Sequence, residues 1–84
     1  MTTTILYFSW LKEELGRAHD SLELTQQTGI TQLVRQLAEL SDDHARVFQD
    51  TVGLRCAVNK KLADWDAVVQ PGDEVAIFPP VTGG

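Results

Sequence analysis

From Thr3 to Phe8 the chain puts apolar side chains on both faces of an extended segment, Ile5 and Tyr7 on one and Leu6 and Phe8 on the other. Successive side chains of a strand point to opposite faces. A strand with two apolar faces must be covered on both. It is either a central strand of a sheet enclosed from both sides, or one whose second face lies in an interface. Glu74 to Phe78 repeats the pattern, with Val75 and Ile77 facing one way and Ala76 and Phe78 the other.

Between these two runs the pattern changes. Ser9 is positioned to cap a short helix, with Glu13 and Glu14 near its start and Gly16 at its end. His19 to Leu24 reads as a strand, and Gln26 to Gly29 as a turn. Thr31 opens the clearest helix: Leu33, Val34, Leu37, Ala38 and Leu40 fall on one side at helical spacing. Ser41-Asp42-Asp43 caps a further helical turn through Val47 and Phe48, and Gly53 breaks the chain. Leu54, Cys56 and Val58 alternate with Arg55 and Ala57 as in a strand; Asn59-Lys60 turns into a short strand at Lys61-Leu62. Pro71-Gly72-Asp73 is a turn before the last strand. One main helix among several strands describes an α+β domain.

With 84 residues, one domain is expected, spanning 1–78, with a flexible tail over 79–84. A domain this small buries only about 60% of its unfolded surface, which leaves little room for a deep active site beside the core. The net charge of −5, with Lys60-Lys61 the only adjacent basic pair, argues against binding nucleic acid or an anionic membrane surface. Cys56 is the only cysteine, so internal disulfides and multi-thiol metal sites are excluded and a cytoplasmic location is expected. No apolar run approaches the roughly 20 residues of a membrane span, and Met1-Thr2-Thr3-Thr4 lacks the basic start of a signal peptide.

The tail, Pro79-Pro80-Val81-Thr82-Gly83-Gly84, cannot continue a central strand, because its prolines have no N–H to donate. Prolines favour an extended conformation, and six extended residues reach roughly 20 Å. Gly83 and Gly84 carry no Cβ and fit a channel too narrow for any other residue. A carboxylate at the tip of such a tail is inert until activated. With ATP on a partner it becomes an acyl adenylate, and a sulfur nucleophile then leaves a thiocarboxylate.

Leu6-Tyr7-Phe8, Glu14-Leu15-Gly16, Ala57-Val58-Asn59 with Leu62, and above all the run from Gly72-Asp73-Glu74-Val75 through Phe78-Pro79-Pro80-Val81-Thr82-Gly83-Gly84 carry a resemblance. The chain resembles the molybdopterin synthase small subunits, the MoaD-type sulfur carriers of the ubiquitin-like β-grasp superfamily. The segment from Leu40 to Gly53 contributes little to it. The resemblance implies a ubiquitin-like β-grasp: a mixed sheet of about five strands with one main helix and short helical turns. It implies that an E1-like adenylyltransferase activates Gly84 with ATP, that Gly84 becomes a thiocarboxylate, and that the tail inserts into a large synthase subunit. The sulfur would pass there to cyclic pyranopterin monophosphate to form the molybdopterin dithiolene, in a heterotetramer whose catalytic side chains belong to the large subunits. No metal or cofactor is expected on this chain itself.

The family's docking patch falls on Phe8, Leu62 and Phe78, and its inserted segment on Pro79, Pro80, Val81, Thr82, Gly83 and Gly84. The residue pattern agrees in part: if Ile5, Tyr7, Val75 and Ile77 face the core, Phe8 and Phe78 face outward together, toward an interface or a second core layer under a helix. Gly-Gly ends are shared with carriers for thiazole synthesis, tRNA thiolation or attachment to lysines, and Pro79-Pro80-Val81-Thr82 fits the molybdopterin type better. A ubiquitin-like interaction domain without sulfur chemistry is the reading from another class. Among the remaining residues, Cys56 reads as a buried structural thiol. His19 and His44 read as isolated surface residues, Trp10 and Trp65 as packing groups, Asp42-Asp43 as a helix cap, and Arg55 and Lys61 as solvated charges.

Overall fold

A computed structural model of the chain describes residues 1–80, so the expectations for Val81, Thr82, Gly83 and Gly84 lie outside the described residues. In chain order the elements are β1 (Thr2–Tyr7), α1 (Trp10–Leu15), β2 (His19–Glu23), β3 (Thr28–Gly29), α2 (Ile30–Ala38), α3 (Asp42–Phe48), β4 (Arg55–Val58), β5 (Lys61–Ala63), β6 (Val68–Val69) and β7 (Glu74–Phe78). The main sheet has five strands in the order β2-β1-β7-β4-β5, and β3 and β6 pair separately. β1 and β7, the two strands with apolar residues on both faces, lie side by side at the middle. They run parallel, with Ile5 opposite Val75 and Tyr7 opposite Ile77; the other pairings are antiparallel. Parallel neighbours need a long crossover, here the whole chain between them. The mixed sheet packed on one main helix is the β-grasp arrangement that the sequence led us to expect.

One face of the sheet is the core. Ile5, Tyr7, Val75 and Ile77 cluster there with Ile30, Leu33, Val34 and Leu37 of α2, Leu11 and Leu15 of α1, and Val47 and Phe48 of α3. The α2 residues follow the i, i+3, i+4, i+7 spacing of a buried stripe. Truncating a fully buried Leu33 or Leu37 to alanine costs ~2–5 kcal/mol. Turn chemistry sets the register around this core. Asn59 and Lys60 both have positive φ, 50° and 71°, as a two-residue hairpin turn with the twist of its strands requires. Gly72, at φ 93°, donates its N–H to the buried Thr3 hydroxyl and ties the turn before β7 to the start of β1.

Several local expectations need correction. Ser9 does not cap α1 with its side chain; its φ is 58°, and its carbonyl accepts from Lys12 N–H. Leu40 leaves the α2 stripe because that helix stops at Ala38, and it is exposed. Thr28–Gly29 at the end of the expected turn forms a two-residue strand against Val68–Val69, too short for any periodicity to reveal. His44, read as a surface residue, is only 3% exposed. Ser41 caps α3 as expected, accepting from the His44 N–H, with Asp42 and Asp43 in the first turn.

Candidate functional site

Among the described residues, no helix packs on the second face of the central strands. Leu62, Ala57, Ala76 and Leu6 stand in register as one apolar row across β5, β4, β7 and β1. On the next level of the same face Phe78 lies opposite Arg55. The β1–β7 register ends at Tyr7 and Ile77, and the same offset one step further sets Phe8 level with Phe78. Leu62 is 79% exposed and Phe8 47%, and Phe78 is half-buried. The buried apolar side chains of all three helices belong to the cluster on the opposite face. A second core layer under a helix is therefore not what occupies this side.

The chain leaves the sheet from the middle. β7 lies between β1 and β4, and Pro79 and Pro80 follow it outside any strand, the first half-buried and the second exposed. Phe8, Leu62, Phe78, Pro79 and Pro80 are thus brought to one face and to the root of the tail. A flat apolar face of this kind suits a protein surface more than a small ligand.

A buried polar cluster escaped the sequence reading. The Tyr7 hydroxyl donates to Asp20 Oδ2 at 2.8 Å, His44 Nε2 stands 2.7 Å from the same oxygen, and Arg17 donates to Oδ1 at 2.6 Å. A carboxylate only accepts, so Nε2 donates to Asp20, and His44 Nδ1 lies 2.7 Å from the Ser41 hydroxyl. Burial works to raise the Asp20 pKa, but the hydrogen bonds from His44, Tyr7 and Arg17 outweigh it and hold the group below its ordinary value. Burial, and then the bond to Asp20, push the Tyr7 phenol far above its usual range. Tyr7, Asp20 and His44 are all buried, and every buried polar side-chain atom among the described residues is paired. The cluster anchors α3 to β1 and β2. Asp20 and His44 are 24 residues apart with no repeat to link them. The one available signal was Tyr7 itself, because a tyrosine facing the core needs a partner for its hydroxyl.

Cys56 is buried at 1% exposure and donates to the Ala63 carbonyl. Burial, followed by the nearby Asp64 charge, raises its pKa, so it is held as the thiol. Among the described residues no group of three His, Cys, Asp or Glu could hold a metal, and no helix is long and apolar enough to cross a membrane.

Residues 5–84 match the ThiS family. The molybdopterin synthase sulfur carrier subunit of Escherichia coli (strain K12) is 38% identical over 81 residues, covering 95% of this chain and 96% of the relative. The human protein of that name is 29% identical over 80 residues, covering 95% and 91%. Among solved structures, SAMP1 from Haloferax volcanii superposes with a TM-score of 0.80 at 24% identity over the whole of both chains. A chain in the complex of subunits 1 and 2 of molybdopterin-converting factor from Helicobacter pylori does so with a TM-score of 0.66 at 21% identity, again over both chains in full. The structural likeness shows the ubiquitin-like fold. With the family match running over nearly its whole length, the chain belongs to the ThiS family and is, within it, a relative of the molybdopterin synthase sulfur carrier subunits.

Proposed function

We propose that this chain is the sulfur carrier subunit of a molybdopterin synthase, acting in the cytoplasm. The observation that carries the reading is the central position of β7, which sets Pro79 and Pro80 at the end of the strand that carries Ala76 in the apolar row of Leu6, Ala76, Ala57 and Leu62. A large subunit docked on that row, with Phe8 and Phe78, would receive residues 79–84 in its own active site. The Helicobacter pylori complex of subunits 1 and 2, in which a chain of this fold is found, supports a partner of that kind.

The chemistry assigned to the terminus runs in three steps. The Gly84 carboxylate attacks the α-phosphate of ATP on an E1-like adenylyltransferase, giving an acyl adenylate and releasing pyrophosphate. A sulfur nucleophile displaces AMP and leaves a thiocarboxylate. Within the large subunit the thiocarboxylate sulfur attacks the pterin precursor, and water then cleaves the resulting acyl–sulfur bond, leaving the sulfur on the pterin and regenerating the carboxylate. This chain's own contribution is to dock, to present a carbonyl unhindered by side chains, and to carry one sulfur. Its buried network and buried thiol take no part.

Reconstitution tests the assignment. The chain is mixed with the large synthase subunit, and the complex is isolated and given cyclic pyranopterin monophosphate. Molybdopterin should form only when Gly84 is thiocarboxylated, and the variant lacking Gly84 should assemble but not react. Failure to bind the large subunit, or sulfur delivery to a thiazole precursor or a tRNA instead, would overturn it.

A further inference from the structure

A groove of about 500 Å³ lies between α2 and the start of β4. Its lining includes Val34 and Phe48, both 6% exposed, and the half-buried Trp65. Val52, just past α3, is 86% exposed at its rim. The charged residues along it are Arg35 and Arg55, and among the described residues no acidic group lines it.

Charge sets this groove apart from the rest of the molecule. The chain carries a net charge of −5. Arg17 and Arg46 are engaged by Asp20, Asp43 and Glu14. The other two arginines are Arg35 and Arg55, and among the described residues neither has a carboxylate within ion-pair distance. Both stand at the rim of one apolar groove, while Lys12, Lys60 and Lys61 lie outside it.

The lining also selects the kind of ligand. The buried part offers side-chain carbon and an indole, and the Thr31 hydroxyl beside it is already donated to the Trp65 carbonyl. A small polar ligand, such as a nucleotide, would leave its base and sugar unpaired against that surface. An apolar side chain would be satisfied by it, while carboxylates on flanking residues meet the two guanidiniums, which are suited to bidentate pairing. The volume accommodates a short peptide segment. We propose that this groove is a docking site for an extended segment of a partner protein in which a bulky apolar residue is flanked by acidic ones. The groove meets the sheet face at Arg55, which lies opposite Phe78, while Thr31, Val34, Arg35, Phe48 and Trp65 lie off the row of Leu6, Ala76, Ala57 and Leu62. The assignment stands independently of the carrier role.

The test uses the full chain carrying Trp10→Phe, which leaves Trp65 as the only tryptophan, and the synthetic peptide acetyl-Asp-Glu-Leu-Phe-Glu-Asp-amide. Trp65 emission should shift to the blue and saturate. In an isotope-labelled sample the amide shifts should concentrate on Thr31, Arg35, Val52 and Arg55. The variant Arg35→Glu/Arg55→Glu, whose mutated side chains are exposed and whose folding circular dichroism checks, should bind at least about tenfold more weakly. A peptide with lysines at the four acidic positions should bind as poorly. Lack of saturation at peptide concentrations on the order of 1 mM, equal binding by the double variant, or shifts centred on Phe8 and Leu62 would overturn the proposal. The chain ending at Pro80 separates another occupant. If removing residues 81–84 alone moves the groove signals, the groove holds this chain's own terminus and the partner assignment fails. Concentration-dependent dimerisation through the groove would overturn it equally.

Discussion

His44 Nε2 meets Asp20 Oδ2 at 2.7 Å, with the two side chains only 4% and 8% exposed. The pair joins α3 to β2, and through the Tyr7 hydroxyl on the same oxygen to β1. Removing one member of a buried network strands the others without partners. Asp20→Ala should therefore lower stability by ~3 kcal/mol or more, which for a domain of this size lowers Tm by more than about 10 °C. His44→Ala should also destabilise. The double variant should cost less than the sum of the two by at least ~0.5 kcal/mol. Urea unfolding of the four proteins checks this, and strict additivity would show that the two groups are energetically unconnected.

Acid should dismantle the same anchor. The folded-state pKa of Asp20 lies below 3.8, because its three hydrogen bonds outweigh the effect of burial. A depressed carboxylate contributes stability that is complete above the unfolded value and is lost as pH falls through the folded one. Unfolding midpoints measured from pH 5 downward should hold steady and then fall steeply below 3.8. In Asp20→Asn, already less stable at neutral pH, that fall should be shallower. An identical acid limb in both proteins would remove Asp20 from the account.

The uncovered face should matter for binding and little for folding. Leu62 is 79% exposed, so Leu62→Asp should change stability by no more than ~0.5 kcal/mol. In calorimetric titration with the large synthase subunit, the same substitution should weaken binding at least about tenfold, or ~1.4 kcal/mol. Phe78→Ala should likewise lose more in binding than in stability. A large loss of stability with unchanged binding would assign Phe78 to the core.

Cys56 should be chemically quiet. Its thiol is buried, its pKa is raised, and its S–H donates to the Ala63 carbonyl. In the native protein at pH 7.5 a thiol-specific reagent should label it at least ~100-fold more slowly than free cysteine. Cys56→Ser should leave any sulfur exchange at Gly84 intact. Fast labelling, or loss of exchange in the serine variant, would bring the thiol into the chemistry.

The outline of the fold was legible because β1 and β7 carry the strand period on both faces and α2 carries a clean helical stripe. Together they called for a sheet with one main helix, and the structure has that sheet. Alternation alone grouped Ile5 with Tyr7 and Val75 with Ile77 and set Phe8 and Phe78 opposite them; which side is the core it left open, and the packing of the helices decides it. Long-range side-chain pairing was beyond such rules. Asp20 and His44 look like ordinary polar residues of a strand and a helix, and only the packing of α3 onto the sheet buries them. β3 and β6 are two residues each, and their pairing is set by the path of the chain around α2. The groove joins side chains from α2, the segment after α3 and the segment after β5, so no local pattern announces it.

The most direct measurement is the intact mass of this chain after incubation with an E1-like adenylyltransferase, ATP and a sulfur donor. The account predicts a mass gain equal to the exchange of one oxygen for one sulfur. Fragmentation should place it on Gly84, and omitting ATP or deleting Gly84 should abolish it. An unchanged mass with an activating enzyme that thiolates a known carrier in parallel, or a sulfur found on Cys56 instead, would contradict it.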